Sequence, residues 1–187
     1  MSVPGKREDD ERVTALALAA GRGDRAALAD WVRATQADVW RLLAHLADPD
    51  RADDLTQETY LRAFGSLPRF AGRSSSRTWL LSIARRVLVD HIRAAGARPR
   101  LVAVAEWEPV ERVHRAAGFE DIVELRLLLA GLDPQRRETL VLTQILGLTY
   151  QEAADVCGCP VGTIRSRVAR AREDLLTAGD LRDDNVL

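Results

Sequence analysis

The sequence predicts an all-α chain: two small helical domains joined by a flexible linker, the second containing a helix-turn-helix. Three observations carry that prediction. Ala, Leu, Val and Arg dominate and only 5% of the 187 residues are aromatic, so among the abundant types only Val leans towards strands. Apolar residues recur at steps of three and four from Val13 to about Ala95, and again from Phe119 to about Leu176, the spacing that stacks them on one side of a helix. Between those segments lies "GARPRLVAVAEWEPVERVHRAAG", which has prolines and glycines but no sustained period and reads as a tether. The expected division is a first domain over 1–97, a linker over 98–118, a second domain over 119–176 and an acidic tail over 177–187.

In the first domain, breaks fall at Gly21–Asp24, at Asp48–Asp50 and across Gly65–Ser76, where Gly, Pro and Asp favour turns. After the second break comes "DDLTQETYLRAF", Asp53 to Phe64, in which Asp54, Glu58 and Arg62 stand four apart beside Leu55. One helix face therefore carries two acids and a base. The third break ends in "RFAGRSSSRTW", Arg69 to Trp79, a loop with arginines, three serines and an aromatic near each end. Arginine on phosphate, with hydroxyls and backbone on an extruded base, is a chemistry that grips single-stranded nucleic acid. In the helix that follows, Arg77 to about Ala95, the positions Ser82, Arg86, Val89 and Arg93 share one strip bordered by Trp79. The rest of the circumference is apolar, and His91 falls within it and is given no role.

The second domain is spelled out by its caps. Asp133-Pro134 opens a helix, the carboxylate accepting from free amides while proline takes the first turn, with Leu140, Val141, Ile145 and Leu148 as its inner side. Thr149-Tyr150-Gln151-Glu152 matches the capping box, and the short helix it starts, with Ala153, Ala154 and Val156 inward, ends at Gly158. A third helix begins at Pro160, its inner side Val161, Ile164, Val168, Ala171 and Leu175. The opposite arc carries Gly162, Thr163, Ser166, Ala169 and Arg170, flanked by Arg165 and Arg167. Small residues at its centre let the backbone approach a groove floor while guanidinium groups reach phosphates or guanine edges.

Charge distribution points the same way. The whole chain has a formal net charge of -1, yet Pro160 to Arg172 holds four arginines and no acid, and Arg69 to Arg100 holds eight arginines against the single Asp90. Two local cationic surfaces in a nearly neutral chain imply a polyanionic partner, nucleic acid. Cys157-Gly158-Cys159 has no second cysteine pair with which to complete a zinc site, so no metal and no cofactor is expected. The paired carboxylates of the Asp53–Phe64 stretch lack a His, a Cys or a glycine-rich cradle at useful spacing, so no catalytic residues are expected. No apolar run approaches the roughly 18 residues of a membrane span, and "MSVPGKREDDER" has no apolar stretch of a signal peptide, so a cytoplasmic location is expected. The residues alone leave open a promoter-binding factor, a stand-alone helix-turn-helix regulator, and a nucleic-acid recombinase or nuclease.

Taken in order, the three motifs resemble those of the extracytoplasmic-function group of bacterial sigma factors, the promoter-recognition subunits of RNA polymerase. "DDLTQETYLRAF" is similar to the family's clamp-binding helix, "RFAGRSSSRTWLLSIARRVLVDHIR" to its melting loop and downstream-element helix, and "LGLTYQEAADVCGCPVGTIRSRVARAREDL" to its upstream-element reader. The resemblance implies that Asp53, Asp54, Leu55, Gln57 and Glu58 grip the clamp of the polymerase's largest subunit. It assigns Phe70, Arg73, Ser74, Ser75, Ser76, Arg77, Arg86 and Arg93 to the minus-ten element, and Pro160, Val161, Thr163, Arg165, Ser166, Arg167 and Arg170 to the minus-thirty-five box. Implied partners are core polymerase, including the flap of its second-largest subunit, promoter DNA and an anti-sigma protein. Some relatives carry asparagine where Arg86 stands and a bulky aromatic where Ala169 stands, so promoter letters do not transfer with the motif.

Overall fold

A computed structural model of the chain describes residues 4–47, 49–97 and 129–183. The helices are α1 (Pro4–Gly21), α2 (Arg25–Leu46), α3 (Pro49–Ser66), α4 (Ser76–Ala97), α5 (Pro134–Leu140), α6 (Tyr150–Cys157) and α7 (Val161–Asp183), with no strand among the described residues. A short 3-10 turn, Leu67–Arg69, follows α3, and a π turn, Val141–Ile145, continues α5. The expected linker, with Arg98, Arg100 and Trp107, and the expected start of the second domain at Phe119 lie outside the described residues.

Helices α1 to α4 form one bundle. Asp24 caps α2 by accepting from the Ala27 amide at 3.0 Å, and Ala27, Trp31, Thr35, Val39 and Leu42 then fall inward at steps of four, four, four and three. α3 contributes Ala52, Leu55, Thr59, Tyr60 and Ala63, and α4 contributes Leu80, Leu81, Ile83, Ala84, Val87 and Leu88. Trp31 is fully enclosed at the centre, edge-on to Tyr60 with ring centroids 5.9 Å apart, and its indole N–H donates to Ser76 Oγ at 3.2 Å. The Thr35 and Tyr60 hydroxyls are 2.7 Å apart, so these two polar groups carried into the core satisfy one another. α1 ends where it must. A Cβ at Gly21 would stand 2.7 Å from the Leu67 carbonyl oxygen, a distance that only glycine avoids at this helix crossing.

Two boundaries differ from expectation. α1 begins at Pro4 and not at Val13. Glu8, Asp9, Glu11 and Arg12 are charged and exposed, with Asp9 and Arg12 paired at 2.6 Å, so this stretch leaves no apolar signal in the sequence. α7 continues through the first part of the expected tail to Asp183, and just before that tail Asp174 pairs with Arg136 of α5.

Helices α5 to α7 form the second unit, and it packs on the first, α6 against α4 and the π turn against α2. The contact is polar as well as apolar. Arg85 of α4 donates to Glu138 of α5 at 2.7 and 3.3 Å, and Arg77 donates to the Leu146 carbonyl at 2.8 Å. That carbonyl follows the π turn, where the Leu146 amide reaches back to Val141 and the Leu148 amide to Leu142, both at 2.9 Å.

Candidate nucleic-acid and polymerase interfaces

The helix-turn-helix is built by local chemistry. Thr149 Oγ1 accepts from the Glu152 amide at 3.2 Å while the Glu152 carboxylate accepts from the Thr149 amide at 2.7 Å, which fixes the start of α6. Gly158 ends it in the left-handed region, φ 65°, and the Cys159 amide closes back onto the Ala154 carbonyl at 3.1 Å. α7 then departs with Ile164, Val168 and Ala171 buried. Gly162, Arg165, Ser166, Ala169 and Arg170 are exposed and Thr163 is half-buried. Space in front of Gly162 is open.

The four arginines of this helix do not share one fate. Arg165 and Arg170 make no hydrogen bond or ion pair with any described residue. Arg167 turns sideways, donating to Gln135 Oε1 of α5 and lying 3.9 Å from Cys159 Sγ, and Arg172 lies 3.4 Å from Gln144 Oε1. Arg167 thus braces α7 against α5, to one side of the arc that carries Arg165 and Arg170. Val161 is half-buried at the first turn, and Pro160 is exposed just before it.

A second surface surrounds the loop between the 3-10 turn and α4. Arg69, Phe70, Ala71, Arg73, Ser74 and Trp79 line a cleft of about 240 Å³. Its aromatic wall is the Phe70–Trp79 pair, with ring centroids 4.8 Å apart and planes inclined at 36°, both rings half-buried against the bundle core. Gly72 turns the loop with φ 67°. Arg86 and Arg93 are exposed along α4 below the cleft, and Ser82, half-buried between them and Trp79, spends its hydroxyl on the Trp79 carbonyl at 2.7 Å.

Three expected members of this surface are held elsewhere. Ser76 is fully buried, its Oγ accepting from Trp31 and its amide donating to Thr14 Oγ1 at 2.9 Å, so it belongs to the core and not to a DNA face. Ser75 caps α4, its Oγ accepting from the Thr78 amide at 3.1 Å. Arg77, with 15% of its side chain exposed, pairs with Asp38 and with the Leu146 carbonyl.

On α3 the acidic stripe is present with one change. Asp53, Asp54 and Gln57 are exposed and Glu58 is half-buried, whereas Leu55 is 6% exposed and packs inward. Leu55 therefore supports the acidic stripe from beneath. Asp53 accepts from the Trp40 indole N–H at 2.9 Å, and Arg62 joins Glu58 at 2.8 Å to Asp90 of α4 at 2.6 Å. Those two carboxylates raise the Arg62 guanidinium above its ordinary pKa. The sequence reading missed Leu61, 66% exposed, and Ile92, 57% exposed. Leu61 sits one turn beyond Gln57, outside the inward set Ala52, Leu55, Thr59 and Ala63, and that offset was its available signal.

Among the described residues no group of three His, Cys, Asp or Glu side chains could hold a metal ion, and no helix is long and apolar enough to cross a membrane. The Cys157 thiol is buried against Glu138 and Arg85, and burial with the Glu138 carboxylate pushes its pKa up to about 12, the opposite of an activated thiolate.

The two helical units coincide with two known families: residues 31–98 match sigma-70 region 2 and residues 122–175 match sigma-70 region 4. The ECF RNA polymerase sigma factor SigC of Mycobacterium tuberculosis (strain CDC 1551 / Oshkosh) is 57% identical over 176 residues, 94% of this chain and 95% of the relative. The chain belongs to the extracytoplasmic-function sigma factors of RNA polymerase. Solved relatives of this sigma factor share its shape. CnrH in complex with the cytosolic domain of CnrY matches at TM-score 0.70 and 25% identity, covering 90% of this chain and 97% of that one. The sigma factor RpoE in complex with the anti-sigma factor NepR from Bartonella quintana matches at TM-score 0.68 and 28% identity, covering 79% and 93%. A stand-alone regulator would use the helix-turn-helix and leave region 2 without a task; the sigma factor uses both.

Proposed function

We propose that this sigma factor, a non-catalytic initiation subunit working in the cytoplasm, engages promoter DNA through two surfaces and core polymerase through a third. The outer arc of α7 reads the minus-thirty-five box: Arg165 and Arg170 on base edges or phosphates, Thr163 and Ser166 as closer polar contacts, and the backbone at Pro160 and Val161 against the sugar-phosphate chain. The cleft beside Phe70 and Trp79 receives an unpaired base of the minus-ten element, with Arg73 and Ser74 at its rim and Arg86 and Arg93 on the phosphates. Asp53, Asp54, Gln57 and Glu58, with Leu61 among them, face the polymerase clamp, and region 4 faces the flap.

Melting is then an exchange of contacts without covalent chemistry. Extracting a base from the stack costs a few kcal/mol, and stacking it on an aromatic side chain returns about 1–3 kcal/mol. Phosphate contacts supply the remainder once polymerase holds the register. The observation that carries this reading is the cleft lined by Arg69 and Arg73 together with the half-buried rings of Phe70 and Trp79, because flat rings beside guanidinium groups suit an unpaired base and its phosphate. Transcription from a promoter pool by core polymerase plus this protein tests it, with Phe70→Ala as control. Expected are specific start sites with wild type and a loss of open complexes with Phe70→Ala, seen as permanganate-reactive thymines. Start sites unaffected by Phe70→Ala would remove the cleft from melting.

An anti-sigma partner is also part of the proposal, supported by the company that RpoE of Bartonella quintana keeps. Co-purification of an inhibitory protein with the tagged sigma factor tests that part.

A further inference from the structure

We propose that the turn between α1 and α2 is a further nucleic-acid contact, in which Arg22 and Arg25 hold phosphates of the unpaired strand where it leaves the Phe70–Trp79 cleft towards the start site. The sequence hides this surface, because both arginines stand far from the cationic run that begins at Arg69 and have Asp24 between them. The fold brings them to it. A Cβ on Gly21 would meet the Leu67 carbonyl oxygen at 2.7 Å and Pro68 Cα at 3.6 Å, and one on Gly72 would meet Leu18 Cδ1 at 3.6 Å. Arg22 therefore follows a residue in contact with the 3-10 turn that ends at Arg69, and the loop carrying Arg73 rests on the end of α1.

Pairing separates these arginines from most others. Arg12, Arg33, Arg62 and Arg136 each join a carboxylate, whereas Arg22, Arg25, Arg69 and Arg73 are exposed and make no hydrogen bond or ion pair with any described residue. Asp24, the acid of the turn, accepts from the Ala27 amide as the cap of α2, where the helix end attracts its charge. Four guanidinium groups drawn from three segments around one cleft repel one another until an anion lies among them. Exposed arginines elsewhere without a described acceptor, Arg86, Arg93, Arg165 and Arg170, all belong to the surfaces proposed to meet DNA. A single strand is held in just this way, arginines tracking its backbone while rings take a base. Direction follows from the chain. α4 runs from Trp79 at the cleft past Arg86 and Arg93 towards the segment that leads to region 4, the proposed reader of the upstream box, so its strip lies on the upstream side. The α1–α2 turn borders the cleft from another element and is left to the downstream side.

The inference rests on the reading of the cleft as a base pocket, and two probe strands tell the two apart. Holoenzyme assembled from core polymerase and the full chain is titrated with a fluorescent nontemplate strand that ends at the minus-ten element, and with one extended 3′ of it. The extension should add affinity, and it should add less in Arg22→Ala/Arg25→Ala, while the short strand binds as in wild type. Polymerase's own contacts cancel in that comparison. With two phosphate contacts at a salt slope of about 0.7 each, the wild-type advantage on the extension should fall about sevenfold between roughly 50 and 200 mM salt. Arg22→Lys/Arg25→Lys should retain the gain, since a phosphate accepts a point charge as well as a fork. Arg12→Ala/Arg33→Ala removes equal charge away from the cleft and should also retain it. A gain of wild-type size in folded Arg22→Ala/Arg25→Ala would overturn the proposal, and so would an equal loss in Arg12→Ala/Arg33→Ala, which would mark bulk charge, or a failure of the lysine pair to retain it. Phe70→Ala addresses the underlying reading: it should weaken the short strand, and normal binding there would take the base out of the cleft, while the extension would still decide whether the turn contacts DNA.

Discussion

Arg165→Ala and Arg167→Ala should have different consequences although the two residues are neighbours on one helix. Arg165 is exposed and makes no hydrogen bond or ion pair with a described residue, so its truncation belongs to the surface changes that alter stability by about 0.5 kcal/mol or less. In the promoter complex its guanidinium fork, set against a base edge, discriminates by about 1–3 kcal/mol, roughly 5- to 140-fold in preference. Arg167 is spent on Gln135 and Cys159. Losing that brace removes about 1 kcal/mol, the worth of one side-chain hydrogen bond, and lowers Tm by about 2–4 °C for a chain of this size. Its effect on selectivity should be small and uniform across templates. The assay pairs a melting curve of each free protein with holoenzyme transcription from two templates that differ at one minus-thirty-five base pair. Selectivity lost in Arg167→Ala and kept in Arg165→Ala would show that the outward and inward arginines have been assigned the wrong way round.

Three further outcomes follow from the packing. Trp31→Ala empties the centre of the region 2 bundle, where the ring is fully enclosed and bonded to Ser76; a loss of about 3–5 kcal/mol should appear as a Tm drop on the order of 10 °C, and a drop of only a degree or two would mean the ring is not central. Gly21→Ala drives a Cβ to 2.7 Å from the Leu67 carbonyl and should cost about 1–3 kcal/mol by overpacking, measurable as a lower urea midpoint; a stabilised variant would contradict the close crossing. Cys157 and Tyr60 both have raised pKa values in the fold, from 9.0 and 10.0 respectively to about 12, chiefly through burial. Below pH 9 their protonated forms contribute fully; above it the unfolded chain loses protons first, so stability falls as pH rises towards 12. Urea midpoints across that range should fall less steeply in Cys157→Ala, from pH 9 upward, than in wild type.

The second domain was legible because its signals are local. Asp133, Thr149 with Glu152, and Gly158 each act on amides within a few residues, and Ile164, Val168 and Ala171 are buried as their spacing requires. What the sequence concealed depends on distant partners. Ser76 looks like its loop neighbours Ser74 and Ser75, yet Trp31, 45 residues away, and Thr14, 62 residues away, draw it into the core. Arg77 and Arg85 sit in a cationic run that looks like one surface, and their partners Asp38 and Glu138 lie 39 and 53 residues off. The first half of α1 escaped notice for another reason: a helix held by surface pairs leaves no apolar period to detect.

The cationic runs therefore overstate the nucleic-acid surface, and pairing in the fold is what trims them. Of the arginines near the cleft, Arg69, Arg73, Arg86 and Arg93 remain exposed while Arg77 and Arg85 turn to protein acceptors; on α7, Arg165 and Arg170 remain while Arg167 and Arg172 turn away. Lys6 is the chain's single lysine, and that bias has a physical use. A guanidinium stays charged when buried and bonds two acceptors in one plane. Burial acts against Arg85, yet Glu138 holds its pKa above the ordinary value. One side-chain type can thus brace α7, join the two regions and meet DNA, because carboxylate, carbonyl, phosphate and guanine edge all offer oxygen acceptors that suit the same fork. Replacing Arg85 by Lys would keep the charge but reduce a two-pronged grip to a point contact, weakening the junction without abolishing it, whereas the same exchange at Arg165 would retain attraction to DNA and sacrifice its selectivity.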